Sequence, residues 1–230
     1  MSQTLTIIIL LVASIAGSGL IVYALMIGTK RQGALRDAVA ARGWRYDRDE
    51  GTAGRARVTT ISDPQAGWQM EIKVNAATTG SGRTVRSTTW RAADAGISQG
   101  LAIIGPSMSA EKAERAETML AKLGAGMGGF LMDRLFGDLG PEAARLEAVD
   151  LPGAHGLLMA TPEAQAALVP VATHPALANS AGLLPGGALP VIRRSDRGLE
   201  ISLRAALSRP EEVLALADLG ETLRQALPDS

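Results

Sequence analysis

Trp68-Gln-Met-Glu-Ile-Lys-Val74 alternates strictly, with Trp68, Met70, Ile72 and Val74 on one side and Gln69, Glu71 and Lys73 on the other. Successive side chains of a strand point to opposite faces, so this stretch predicts a strand with one buried and one wetted side. The sequence around it reads the same way. Arg57 to Ile61 is a candidate strand before it, and Thr84 to Trp90, rich in β-formers, is the return strand. The stretch AATTGSGR, Ala76 to Arg83, joins the two as a flexible hairpin connection. Trp44-Arg45-Tyr46 also alternates and leads into the polar turn Asp47 to Gly51, while Leu101 to Ile104 is a short apolar strand closed by Gly105-Pro106. All three tryptophans lie between Trp44 and Trp90, so this sheet is expected to carry the bulkiest part of the core.

Beyond it, Ser109 to Leu123 and Phe130 to Phe136 read as helical pieces, and Pro141 to Glu147 as a short helix or turn. Gly156 to Ala160 reads as a strand. Thr161-Pro162-Glu163 then supplies an N-cap, a proline at N1 and an acid in the first turn of a helix through Leu168. His174 to Ala181 is a further helix. Ala188 to Arg193 and Leu199 to Arg204 form a hairpin around Ser195-Asp196-Arg197-Gly198, and a final helix opens at Ser208 to Glu212 and runs to about Leu227.

Before the sheet, Leu5 to Gly28 (LTIIILLVASIAGSGLIVYALMIG) carries no charge and is followed at once by Lys30 and Arg31. At 1.5 Å per residue such a stretch matches a hydrocarbon core of roughly 30 Å, which predicts a transmembrane helix. Met1 to Thr4 lack the basic residues of a signal peptide. Lys30, Arg31, Arg36, Arg42 and Arg45 follow the span with a single Asp37 among them. The positive-inside rule then places the N-terminus outside and the remainder in the cytoplasm. The same five residues are the expected contacts with the lipid surface. Ala13-x-x-x-Gly17 is a small-xxx-small spacing that suits association of two such helices, and hence a homodimer.

The chain has no cysteine, which excludes disulfides, thiolate catalysis and cysteine-ligated metal. Its net charge is zero but unevenly spread. Lys30 to Arg91 holds 12 basic against 6 acidic residues, and Ala92 to Ser230 holds 11 against 17. A basic region next to the anchor suits anionic headgroups, each basic residue near the surface gaining about 1 kcal/mol.

Chemical motifs are weak. Gly124-Ala-Gly-Met-Gly-Gly129 matches G-x-G-x-x-G, but a helix rather than a strand is expected before it, so a break between helices is the preferred reading. Gly80-Ser81-Gly82 reads as a hairpin tip. His155 and His174 sit in no metal-binding frame, and a site would have to draw on Asp150 or Glu163. Arg193-Arg194 beside Arg197 is a small basic cluster, able to meet a phosphate or headgroup or simply to be solvated.

The order of the segments resembles that of uncharacterised, single-pass membrane-anchored bacterial proteins of proteobacterial type. The likeness rests on the uncharged anchor, Gly43-Trp44, Thr89-Trp90, Leu101 to Pro106, Leu146 to Asp150, Leu157 to Pro162 and the terminal helix. It implies an inner-membrane protein with an α+β domain and carries over no catalytic residue.

The expected fold class is therefore an N-terminal transmembrane helix followed by an α+β domain with mainly antiparallel sheet. The expected organisation is an anchor over 1–29, a juxtamembrane helix over 30–43, a β-rich region over 44–106, and an α+β region over 107–230 packed with it as one cytoplasmic unit. The expected function is non-enzymatic: binding of a partner protein or the membrane surface, with no cofactor, no metal and no nucleic acid. A membrane-tethered hydrolase or transferase with a site assembled from dispersed residues is the alternative.

Overall fold

The computed structural model describes Tyr23 and residues 26–52, 56–75, 86–105, 140–180, 182–185 and 190–227. A helix over 26–41 (α1) leads into nine strands. These are β1 (Arg45–Asp49), β2 (Arg57–Asp63), β3 (Trp68–Val74), β4 (Arg86–Ala92), β5 (Ala102–Gly105), β6 (Glu147–Val149), β7 (Leu157–Ala160), β8 (Val191–Ser195) and β9 (Gly198–Leu203). They form one sheet in the order β1-β2-β3-β4-β9-β8-β5-β7-β6, and every neighbouring pair is antiparallel. Two short helices, α2 (Val169–Ala172) and α3 (Pro175–Ser180), precede β8, and α4 (Pro210–Gln225) follows β9.

This architecture corrects the expected fold class. Among the described residues no helix is long and apolar enough to cross a membrane, and what stands in its place is a nine-stranded antiparallel sheet with several helices. Within the described residues α1 passes through Lys30, Arg31, Arg36 and Asp37 and seats Leu35 and Val39 in the core, so it is a charged helix of the folded domain. Residues 5–22 of the uncharged stretch, with Ala13 and Gly17, lie outside the described residues. So do residues 76–85, which take in the connection read over Ala76 to Arg83, and residues 106–139, which hold the two further helical readings and Gly124 to Gly129.

Period-two alternation decides which side of the sheet is dry. Ile61, Trp68, Met70, Ile72, Trp90, Ala92, Ile192, Leu199, Ile201 and Leu203 point to the side that α1 and α4 cover. Trp68 and Trp90 are fully buried and centre this layer. Trp44 meets Trp68 edge to face at 4.7 Å and 82°, an arrangement worth about 0.5–1.5 kcal/mol beyond burial. Gly220 lets α4 settle onto the Trp90 indole: a Cβ there would lie 2.5 Å from two of its ring atoms. Three polar contacts fix the helix in rotation. Glu221 accepts the Trp68 indole N–H, Asp218 takes both Arg42 Nη atoms at 3.0 and 3.3 Å, and Arg224 pairs with Asp94.

The other side of β1–β4, β9 and β8 carries Thr60, Ser62, Gln69, Glu71, Lys73, Ser87, Thr89, Arg91, Glu200, Ser202 and Arg193, all at least partly exposed. Towards β5 and β7 it becomes apolar, with Leu101 and Ile103 buried against Leu146, Met159 and Val191.

Candidate functional site

Across the polar side of the sheet, register places unlike charges side by side. Arg91 of β4 is the direct cross-strand partner of Glu200 of β9, and Glu200 is in turn opposite Arg193 of β8. Directly opposed side chains have Cβ atoms about 4.5–5.5 Å apart, within reach of a salt bridge. Both arginines converge on one oxygen: Glu200 Oε2 accepts from Arg91 Nε at 2.7 Å and from Arg193 Nη2 at 3.0 Å. Beside them the β8–β9 turn raises Arg197, and the whole lines a shallow groove of about 240 Å³ with Ser195, Gly198 and Leu199. Arg91 and Arg193 thus share one carboxylate, with Arg197 beside them in the groove.

The turn is held by its neighbours rather than by its own bonds alone. Gly198 adopts φ +109, and a Cβ there would lie 2.1 Å from the Ala92 carbonyl oxygen, so only glycine fits. Ile97 N–H donates to the Ser195 carbonyl at 3.0 Å, and Arg197 N–H donates to Ser195 Oγ at 3.2 Å. Beneath the turn Arg194 points inward, 3% exposed. Its Nε donates to Ala95 O at 2.8 Å, its Nη1 to Ala167 O at 2.9 Å and its Nη2 to Gly96 O at 3.0 Å. Burial lowers its pKa from the ordinary arginine value by desolvating the cation. The basic cluster read in the sequence is therefore split. Arg193 and Arg197 face the groove, whereas Arg194 ties β8 to the turn before β5 and to the 3-10 segment Pro162–Leu168.

Comparison with family models, with curated proteins and with solved structures gives no match to this chain.

The expected lipid contacts separate in a similar way. Lys30, Arg31 and Arg36 are exposed on α1, and Arg45 is exposed on the edge strand β1. Arg42 is turned towards α4, where it pairs with Asp218 and lies 5.4 Å from the centre of the Trp44 ring. Of the residues weighed for dispersed catalysis, Glu163 and His174 serve local structure through their side chains. Glu163 pairs with Arg145 at 2.9 Å. His174 Nδ1 accepts the Ala176 N–H at 3.2 Å, capping α3, and the main-chain N–H of His155 donates to the Ala172 carbonyl at 2.8 Å. Neither histidine lines the groove. Among the described residues no three acidic or histidine side chains cluster closely enough to hold a metal ion.

Sequence reasoning missed Arg91 and Glu200. Each occupies an outward position of an alternating strand, but they are 109 residues apart, and no local pattern announces that β4 pairs with β9.

Proposed function

We propose that this chain is a non-enzymatic binding protein of the inner membrane, held there by the uncharged stretch that leads into α1. Its folded domain lies on the cytoplasmic side, the side that basic residues after such a stretch select. The observation that carries this reading is the construction of α1. Leu35 and Val39 anchor the helix in the core, while Lys30, Arg31 and Arg36 stay exposed directly after the uncharged segment. A helix fixed at one end in a folded domain and basic at the other keeps that domain close to anionic headgroups. Each of the three exposed cations adds about 1 kcal/mol of attraction there, falling off within a Debye length of about 8 Å. The engagement of Glu163 with Arg145 and of His174 in capping α3 supports a binding rather than a catalytic role. The resemblance in segment order to membrane-anchored bacterial proteins points the same way.

Two measurements test the reading. Fractionation of cells producing the full chain is expected to recover it with membranes, resistant to high salt; recovery in the soluble fraction would overturn the proposal. Trypsin cuts after Lys30, Arg31 and Arg36, so these bonds report lipid contact directly. Cleavage in nanodiscs rich in anionic lipid is expected to be several-fold slower than in zwitterionic ones, and equal rates would remove the headgroup contact.

A further inference from the structure

We propose that the groove between β4, β8 and β9 binds a dianionic phosphate group, presented by a lipid headgroup or as free phosphate. The charge sets the ligand class. Among the described residues that line it, Arg91, Arg193 and Arg197 against Glu200 leave two net positive charges around one small space. A single carboxylate would neutralise only half of that, and Glu200 already supplies one. A phosphate monoester carries nearly two negative charges above its second pKa of about 6 and offers three terminal oxygens, one for each guanidinium. Guanidinium forks match phosphate oxygens in geometry and are weakly hydrated, so they release water readily on binding.

The volume sets the size. About 240 Å³ falls below the roughly 300–1,000 Å³ of pockets that enclose a drug-sized molecule. The groove therefore takes one charged group, with the rest of its carrier outside. Ser195 lines the same space and adds a hydroxyl donor.

Rigidity makes the site more than a solvated charge cluster. Arg193 sits on a strand whose next residue, Arg194, is tied to three carbonyls, and Arg197 rises from a turn in which only Gly198 fits against Ala92. Two of the cations are held in register by Glu200 before any ligand arrives. An incoming phosphate then competes with Glu200 for the same N–H groups, so Glu200 weakens binding while keeping the arginines in place.

This inference stands apart from the membrane reading, because inorganic phosphate probes it without a headgroup. The full chain, in detergent or in zwitterionic nanodiscs, is melted at pH above 7 with rising inorganic phosphate and with chloride at equal ionic strength. Phosphate is expected to raise Tm more in the unaltered chain than in Arg197→Gln; equal gains would reduce the effect to exclusion of phosphate from the protein surface and overturn the site. Arg197→Gln, at an exposed position, is expected to leave Tm without phosphate unchanged and to weaken phosphate binding about tenfold, the loss of one charge-assisted contact. Glu200→Gln removes the internal competitor and is expected to tighten binding about tenfold. Unchanged affinity in both variants would overturn the proposal.

A second arm finds the source. Labelled vesicles containing phosphatidic acid, a monoester, are compared with vesicles of phosphatidylglycerol, a diester of single charge, on the immobilised full chain. A preference for phosphatidic acid that inorganic phosphate abolishes and Arg197→Gln removes identifies a headgroup. A phosphate-dependent Tm shift that Arg197→Gln reduces, with no vesicle preference, identifies free phosphate. With neither response the groove is not a phosphate site.

Discussion

At Arg194 a guanidinium occupies a position that the alternation of β8 assigns to the dry side of the sheet, two residues after the fully buried Ile192. Three of its five N–H donors each meet a main-chain carbonyl, two of them in the turn after β4. Arg194→Leu keeps much of the volume but strands Ala95, Gly96 and Ala167 carbonyls. The expected loss is about 3 kcal/mol, read as a lower urea midpoint at unchanged slope; a loss under about 0.5 kcal/mol, the range of an ordinary surface change, would show that the carbonyls find other donors. The sequence displays Arg193 and Arg194 side by side, and period two tells that they point to opposite faces. It does not tell which one goes inward, because buried charges are rare and only the tertiary carbonyls around Arg194 make one tolerable. Gly220 poses the converse problem. Alanine there would favour the helix by about 1 kcal/mol, but its Cβ would press into the Trp90 ring, which is fully buried and has nowhere to retreat. Overpacking of this kind costs about 1–3 kcal/mol. Gly220→Ala is therefore expected to be destabilising overall in chemical denaturation, with an altered near-UV tryptophan signal; a stabilised variant would show that α4 can shift outward freely.

Elements whose signal is local were legible in the sequence. The alternation of Trp68 to Val74 became β3 with the expected buried face, and the Ser195 to Gly198 turn joins β8 to β9. The acid in the first turn of α4 also serves as expected of a helix start, since Glu212 accepts the Ser208 and Arg209 N–H groups at 3.4 Å each. Elements that depend on a distant partner were not. Glu147–Val149 has too little periodicity to announce a strand, and it exists because β7 offers it an edge. Thr161, a good N-cap by type, uses its hydroxyl elsewhere: Oγ1 accepts the Leu101 N–H at 3.2 Å, locking the start of β5 to the end of β7. The segment it opens is correspondingly a 3-10 helix, Pro162–Leu168, without a side-chain cap. Thr88 works in the same manner at the join between β9 and α4. Its Oγ1 donates to Ala205 O at 2.7 Å and accepts the Leu207 N–H at 3.1 Å, so it steers the chain off the sheet into the covering helix. Thr88→Val preserves shape but leaves a buried N–H and carbonyl unmatched. A loss of about 1–2 kcal/mol is expected, with Thr88→Ser retaining most of the stability; an equal loss in both would trace the effect to the methyl group instead.

At the scale of the whole molecule, the strand order explains why the region 44–106 and the region 107–230, separable by composition, cannot be separated as structures. The meander β1 to β4 ends at β4, and β5 follows it after only nine residues. Yet these two strands do not pair. The hairpin β8–β9, some hundred residues later in sequence, inserts between them, with β9 against β4 and β8 against β5. Hydrophobic alternation finds strands but carries no information on which distant edge each will meet, and this is why the polar groove at Arg91, Arg193 and Glu200 could not be assembled from the sequence. The same topology makes a prediction about cooperativity. Removing residues 190–227 takes away the two central strands and α4, exposing the edges of β4 and β5 and uncovering Trp68 and Trp90 at once. The meander β1 to β4 keeps its own pairings and α1 but loses β9 and α4, which close the rest of its apolar side. The truncated chain is therefore expected to lose its near-UV signal and its cooperative melt, while in the full chain tryptophan fluorescence and far-UV circular dichroism should report a single coincident transition. A truncated chain that still melted sharply, with its tryptophans buried, would mean that β1 to β4 with α1 fold as a unit of their own and that the hairpin docks afterwards. The long-range pairing argues against that order, because the apolar side of β4 is closed only when Leu199, Ile201 and Leu203 arrive beside it and carry α4 over Trp90.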